Sequence, residues 1–176
     1  MEIGNLKINR IILTALAIFL FSTTAFAALK TNDTAPAFTL RDAEGKDFIL
    51  SDYVGATRKE SGNGIVLGFF ASWCGGCRDE LPLINALVDE LKVKGVKVVI
   101  VDVKEDIDTI REFLAGLKVD KPVVLSDRYG KTAEQYGVRF LPVTLFIGAD
   151  GKVKHAIFGE IDDAKKFRDG VGKLLP

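Results

Sequence analysis

The sequence feature that most constrains the fold is a Cys-Gly-Gly-Cys motif between an apolar segment and an amphipathic one. Cys74 and Cys77 are the only cysteines of the 176-residue chain, and the almost wholly apolar run Ile65–Phe70 precedes them. From position 77 to about 94, apolar residues recur at helical spacing, and Gly95 supplies a stop. The pattern predicts a buried strand that leads into a helix, with both cysteines at the start of that helix.

A helix N-terminus gives these cysteines a chemical role. Its free backbone N–H groups and the positive end of its dipole stabilise a thiolate at Cys74. Cys77, about one turn further on, is placed to attack a mixed disulfide formed on Cys74. A purely structural bond here would close a very small loop and so add little stability. The motif therefore favours thiol–disulfide exchange.

Residues 1–27 have the organisation of a signal peptide. Lys7 and Arg10 form a basic start, Ile11–Phe21 is apolar except for one threonine, and Ala25–Ala27 is a small-x-small cleavage motif. We therefore expect cleavage after this segment, which leaves a mature domain. No cysteine lies near the cleavage motif, so anchoring as a lipoprotein is excluded.

An uncleaved membrane anchor is the alternative, because the stretch from Ile11 to Leu29 is long and apolar enough to cross a bilayer. In either case residues 28–176 form one exported domain, in the periplasm or at the outer face of the cytoplasmic membrane. We expect membrane association only if the segment stays uncleaved.

Composition excludes several classes of function. The 24 basic residues are balanced by 24 acidic ones, so there is no basic surface of the kind that nucleic-acid binding requires. His155 is the only histidine, which excludes metal clusters built on several histidines. Two thiolates could still carry soft Cu(I), so a copper carrier remains the alternative to redox activity. No cofactor and no resident metal are expected.

The order of predicted elements indicates an α/β fold with a central mixed β-sheet flanked by helices. An N-terminal β-hairpin is predicted from Ala35–Leu40, a turn at 42–46 and Phe48–Leu50. Residues 55–64 are polar and rich in glycine, so we expect an exposed loop there. Further strands are predicted at 65–70, 96–101, 122–125, 143–147 and 152–158, and helices at 77–94, 107–114, 131–136 and from a cap at Asp162 to about Leu175.

With these motifs the chain resembles the thioredoxin superfamily, and within it the exported TlpA/ResA-like thiol–disulfide oxidoreductases. The resemblance rests on four stretches: 35–40, 70–77, 80–82 and 136–144. It implies a thioredoxin fold, with Cys74 as the attacking thiol and Cys77 as the resolving thiol. By analogy it also implies disulfide-bearing client proteins, a membrane thiol–disulfide electron donor and a place in cytochrome c-type biogenesis, with apocytochrome c as a client.

The resemblance also assigns a substrate-binding surface. Pro142 corresponds to the proline that follows a cis peptide bond in this superfamily, and the backbone of Leu141 would then pair with an extended substrate strand. Trp73 either shapes this surface or covers the edge of the sheet. Exposure of its ring beside Cys74 would favour the first interpretation.

Glu80 is a candidate acid–base residue. It lies three residues after Cys77 and hence on the same face of the helix, where a carboxylate could take the proton of the resolving thiol. It also matches the acid that TlpA/ResA-like proteins place after their CxxC motif. Gly68 occupies the position where thioredoxins carry a buried acid. The alternative is that Glu80 is a solvated first-turn acid, which is our interpretation of Asp79.

Two further patterns bear on the reaction. The Gly-Gly pair between the cysteines carries no cation that would stabilise the thiolate, which favours a reductant or a mid-range exchanger over a strong oxidant. A peroxide reductase would need Pro-x-x-x-Thr/Ser-x-x-Cys, and the proline position is Phe69 or Val66 here. Peroxide reduction is therefore a poor fit to this sequence.

Overall fold

The computed structural model describes residues 28–176, so the predicted signal peptide or anchor lies outside the described residues. The strands are β1 (Thr39–Asp42), β2 (Asp47–Ile49), β3 (Gly64–Phe70), β4 (Val96–Val103), β5 (Val123–Asp127), β6 (Val143–Gly148) and β7 (Val153–Phe158). The helices are α1 (Gly75–Val93), α2 (Ile107–Leu117), α3 (Lys131–Gln135) and α4 (Ala164–Gly172), and a short 3-10 helix covers Leu50–Asp52.

In this part of the chain the seven strands form one mixed sheet in the order β2-β1-β5-β4-β3-β6-β7. The centre is parallel, with β4 between β3 and β5, and the remaining pairs are antiparallel. Strands β3 and β4 are buried almost throughout, which explains why they are continuous apolar runs rather than alternating ones. The predicted thioredoxin fold, including the β1–β2 hairpin, is confirmed.

Successive residues of β3 point to opposite faces of the sheet and so enter different cores. Val66 packs in a core with α1 and α4, and Phe70 in a continuation of that layer with α1 and α2. Ile65, Leu67 and Phe69 face the other layer, which contains the N-terminal hairpin and α3. Layers of packed side chains therefore hold β3 on both faces, and the end of β3 is a rigid platform for the CxxC motif.

Two helix starts differ from the sequence prediction, and α2 ends at Leu117, three residues later than predicted. Helix α1 begins at Gly75 rather than Cys77, because Cys74 caps it. Helix α4 is capped by Asp163 rather than Asp162, since the backbone N–H of Lys165 donates to Asp163 Oδ1 at 2.8 Å. Either aspartate suits a cap by residue type, so the sequence alone does not decide between them.

The segment before β1 is bound to the turn between β6 and β7. Asn32 N–H donates to the carbonyl of Val153 at 2.8 Å, and Val153 N–H donates to the carbonyl of Asp33 at 2.9 Å. Ala35 N–H donates to the carbonyl of Gly151 at 2.9 Å. These bonds cover the start of the edge strand β7 and fix the position of the leading segment.

The predicted loop at 55–64 is mostly exposed, although Gly64 already belongs to β3. Its ends are tied down, since Gly55 N–H donates to the carbonyl of Ala149 and Asn63 N–H to that of Gly95. Across residues 28–176, none of the helices has both the length and the apolar character needed to span a membrane.

Candidate active site

Strand β3 and helix α1 place the two cysteines together. Cys74 is the N-cap of α1, and the backbone N–H of Cys77 donates to Cys74 Sγ at 3.2 Å. The two side chains form a disulfide with an S–S distance of 2.06 Å. Cys74 is 6% exposed and Cys77 1% exposed, so Cys74 is the more accessible sulfur. The predicted position at the helix N-terminus is confirmed, and Cys74 Sγ receives the kind of N–H bond that stabilises a thiolate.

Glu80 is buried beneath the disulfide, with 3% of its surface exposed. Its Oε1 accepts a hydrogen bond from Thr144 Oγ1 at 3.0 Å, and its Oε2 accepts one from the backbone N–H of Ile161 at 2.9 Å. Helix α1 thus directs the carboxyl group onto β6 and the segment after β7. The interpretation of Glu80 as a solvated acid is wrong, whereas the neighbouring Asp79 is exposed as expected.

Burial is the main cause that raises the pKa of Glu80 to about 7, and the charge of Glu160 adds to it, while the bonds from Ile161 and Thr144 act in the opposite direction. A carboxyl group with this pKa can both take and return a proton near neutral pH. Glu80 and Cys77 line one small cavity of about 10 Å³, which is room for about one water molecule. The two side chains therefore border the same cavity, which makes Glu80 a candidate to exchange a proton with Cys77.

Gly68 lines the same cavity. It pairs with Thr144 across β3 and β6, and Thr144 holds the Glu80 carboxyl group. Glu80 therefore extends from helix α1 toward position 68, the place on β3 where thioredoxins carry a buried acid. Helical spacing predicted that Glu80 and Cys77 share a face, but the partners on β6 and after β7 come from tertiary structure.

The residues predicted to bind substrate lie around the cysteines. The Leu141–Pro142 peptide bond is cis, and Pro142 lines the cavity that holds Cys77 and Glu80. Leu141 is half-buried, and the Trp73 side chain is 69% exposed immediately before Cys74. All three are thus brought to one end of the sheet.

Sequence reasoning missed other residues at this end. Phe140 and Phe158 are exposed large apolar side chains whose ring centroids lie 6.2 Å apart. Glu160 lies against the CxxC turn, because a Cβ at Gly76 would be 3.1 Å from Glu160 Oε2. The sequence signal for the contact with Glu160 was the Gly-Gly pair, since a residue without a side chain leaves room for a neighbouring side chain.

Comparison with known proteins decides the family. The model of the AhpC/TSA family matches residues 31–156. The thiol–disulfide oxidoreductase ResA of Bacillus thuringiensis subsp. konkukian (strain 97-27) is 35% identical over 142 residues, which cover 81% of this chain and 77% of the relative. This chain belongs to the ResA-like thiol–disulfide oxidoreductases. The ResA-like protein also shares 33% identity with ResA of Bacillus subtilis (strain 168) over 130 residues, or 74% of this chain and 68% of the relative.

Solved structures agree with this assignment. The thiol:disulfide interchange protein DsbE from Chlorobium tepidum superposes on the ResA-like protein with a TM-score of 0.72 and 31% identity. The match covers 84% of this chain and 99% of that one. The CxxC pair of the ResA-like protein is accordingly the centre of a thiol–disulfide oxidoreductase.

Within the part of the chain that the structure describes, no group of three or more His, Cys, Asp or Glu side chains is arranged to hold a metal ion.

Proposed function

We propose that this protein is an exported reductant that breaks disulfides in client proteins by exchange through Cys74 and Cys77. The observation that carries the proposal is the buried Glu80 beside the buried Cys77, with a pKa raised to about 7 by burial. Reduction of a client requires Cys77 to become a nucleophile after Cys74 has formed the mixed disulfide. A base matched to neutral pH serves this second step.

The proposed reaction begins at Cys74, the more accessible of the two sulfurs. In the reduced protein the Cys74 thiolate attacks one sulfur of the client disulfide, and the other client sulfur leaves as a thiolate. Glu80 then takes the proton of Cys77, whose sulfur attacks Cys74 Sγ and releases the second client thiolate. The protein ends with the Cys74–Cys77 disulfide, and a membrane thiol–disulfide donor returns two electrons to it.

An apolar surface around Cys74 is suited to an unfolded client. Trp73, Phe140 and Phe158 are exposed, and the cis bond before Pro142 leaves the backbone of Leu141 at the same end of the sheet. An extended polypeptide can pair with that backbone and place its side chains on the aromatic rings. We propose apocytochrome c as one client, on the analogy of cytochrome c biogenesis.

Trapping tests the proposal most directly. In Cys77→Ala the mixed disulfide on Cys74 cannot be resolved, so covalent complexes with clients accumulate in the source cell. The control is Cys74→Ala/Cys77→Ala, which cannot form them. If Cys77→Ala traps no protein other than those found with the control, the client-reductase proposal is wrong.

Electron flow is tested by the reduction potential. Equilibration with glutathione is expected to give a value well below that of the strongly oxidising members of the superfamily, which lie near about −120 mV. A value as high as theirs would contradict a reductant. Catalysed insulin reduction, with Cys74→Ser as control, provides the accompanying activity measurement.

Copper carriage remains the alternative function. Metal analysis of the reduced protein after exposure to Cu(I) tests it, since stoichiometric copper without insulin reduction would favour a carrier. Export is tested separately, because mass spectrometry of the native protein shows whether the chain begins at Ala28 or keeps residues 1–27.

A further inference from the structure

The turn between β3 and α1 is held by a glutamate that exchange chemistry does not use. Ser72 N–H donates to Glu105 Oε2 at 2.6 Å, and Ser72 Oγ donates to Glu105 Oε1 at 2.5 Å. Both carboxylate oxygens of Glu105 are thus committed to one residue, two positions before Cys74. Because donors to an ionised group make short and strong bonds, Glu105 fixes the turn that carries Trp73 and Cys74.

Glu105 is in turn held by Asp102 at the end of β4. The Asp102 side chain is fully buried, and its Oδ1 accepts a hydrogen bond from the backbone N–H of Glu105 at 3.1 Å. Asp102 Oδ2 is buried and has no donor among the described residues. An ionised carboxylate in that position would carry an uncompensated charge, which is costly. A proton on the Asp102 carboxyl group removes that cost and gives the side-chain hydrogen bond between Asp102 and Glu105 its donor.

The surrounding charges favour this protonated form. Asp102 faces Glu105 and also Asp127 at the end of β5, while its partner in β3 is the apolar Phe70. Burial, the hydrogen bond to Glu105 and these negative charges raise the pKa of Asp102 to about 8. Burial also acts on Glu105, but bonds from Asp102 and Ser72 outweigh it and lower the pKa of Glu105, with Asp106 opposing them.

We propose that Asp102 and Glu105 are a positioning pair that shares one proton and locks the Ser72–Cys74 turn, and that loss of this proton releases the turn. The two carboxylates then repel each other across a buried contact, and Glu105 no longer holds Ser72 in place. The pair acts on Cys74 through the backbone and touches no substrate. The inference goes beyond the proposed function, because it holds for exchange in either direction and for any client.

Trp73 provides the test, since it is the only tryptophan of the chain and follows Ser72 directly. In the oxidised protein, where the cysteines do not titrate, Trp73 fluorescence should show a transition with a midpoint near pH 8. Asp102→Asn keeps the shape and a donor but cannot ionise, so the transition should be lost. Asp79→Asn, an exposed acid beside the motif, and Glu80→Gln are the matched controls and should both retain it.

Nuclear magnetic resonance of the unmodified protein gives a test that needs no variant to fold. The side-chain carboxyl carbon of Asp102 and the amide proton of Ser72 should titrate together near pH 8. Titration of Asp102 near its ordinary value of about 4 would overturn the shared proton. Titration of Asp102 near pH 8 with an unmoved Ser72 amide would overturn the positioning role, as would persistence of the fluorescence transition in Asp102→Asn.

Discussion

At the scale of single residues, the site is governed by what burial does to ionisable groups. Glu80 and Asp102 are both buried carboxyl groups with raised pKa values, and both follow the cysteine pair in the chain, on helix α1 and strand β4. Glu80 lines the same cavity as Cys77, whereas Asp102 binds Glu105, which binds Ser72 before Cys74. The roles proposed above are proton transfer for Glu80 and positioning for Asp102.

Glu80→Gln should slow disulfide reduction by about tenfold or more at pH 7, because the amide keeps the hydrogen-bonding shape but cannot accept the proton of Cys77. The wild-type rate should rise with pH through a midpoint near 7, as Glu80 ionises, and the rate of the variant should not show this rise. Stopped-flow reduction of a peptide disulfide measures both effects. Asp79→Asn is the control, and equal profiles for Glu80→Gln and wild type would contradict the assignment of Glu80 as a base.

The sequence predicted some of these residues and missed others for a physical reason. Cys74, Cys77 and Glu80 follow one another at intervals of three residues, from the cap into the first two turns of α1, so their spacing carries the information. Asp102 was missed because it follows an apolar run and looks like the polar end of a strand. Its environment depends on Glu105, three residues later, and on Asp127, which the fold brings beside it from the end of β5.

At the scale of elements, helix α4 is defined by its cap and by one close contact. Asp163 rather than Asp162 caps it, and Gly170 lies directly on the Phe146 ring of β6. The strand and helix periods were legible in the sequence, so the element types and order were correct. The Asp163 cap and the contact between Gly170 and Phe146 could not be predicted from the sequence, because both depend on how α4 packs on the sheet.

Asp163→Ala should lower the free energy of unfolding by about 1 kcal/mol, since the N–H of Lys165 loses its acceptor at the start of α4. Asp162→Ala, one residue earlier, should change it by less than about 0.5 kcal/mol. Urea denaturation of the oxidised protein measures both. A larger effect of Asp162→Ala would mean that the cap is the one first expected from sequence.

Gly170→Ala should destabilise the fold by about 1–3 kcal/mol, because its Cβ would lie 2.4 Å from Phe146 Cζ and that ring is fully buried. Gly172→Ala in the same helix meets nothing within 4 Å and should be neutral or stabilising by up to about 1 kcal/mol. Thermal unfolding compares the two variants directly. Equal effects would show that helix propensity rather than packing against β6 dominates.

At the scale of the whole molecule, the two buried acids couple stability to pH. In the unfolded chain both lose their protons near about pH 4, whereas in the folded protein Glu80 keeps its proton to about 7 and Asp102 to about 8. The folded state therefore binds more protons than the unfolded state across this window. Stability must fall as pH rises through it.

We expect the free energy of unfolding of the oxidised protein to fall by about 2 kcal/mol or more between pH 5 and 8. Acids with lowered pKa values, such as Glu90 and Asp150, are ionised in both states over this range and do not contribute. Urea titrations at several pH values measure the slope. The double variant Glu80→Gln/Asp102→Asn should flatten it, and an unchanged slope in that variant would show that other groups cause it.

Residues 32–35 bind to the β6–β7 turn, far from the disulfide. That turn lies beside Gly64 at the start of β3, since Gly64 pairs with Gly148, whereas Cys74 follows the far end of the strand. Seven residues of β3 separate the two ends by about 20 Å. Residues 32–35 therefore lie at the end of the sheet opposite the disulfide, which leaves the end that carries Trp73 and Cys74 clear of the leading segment.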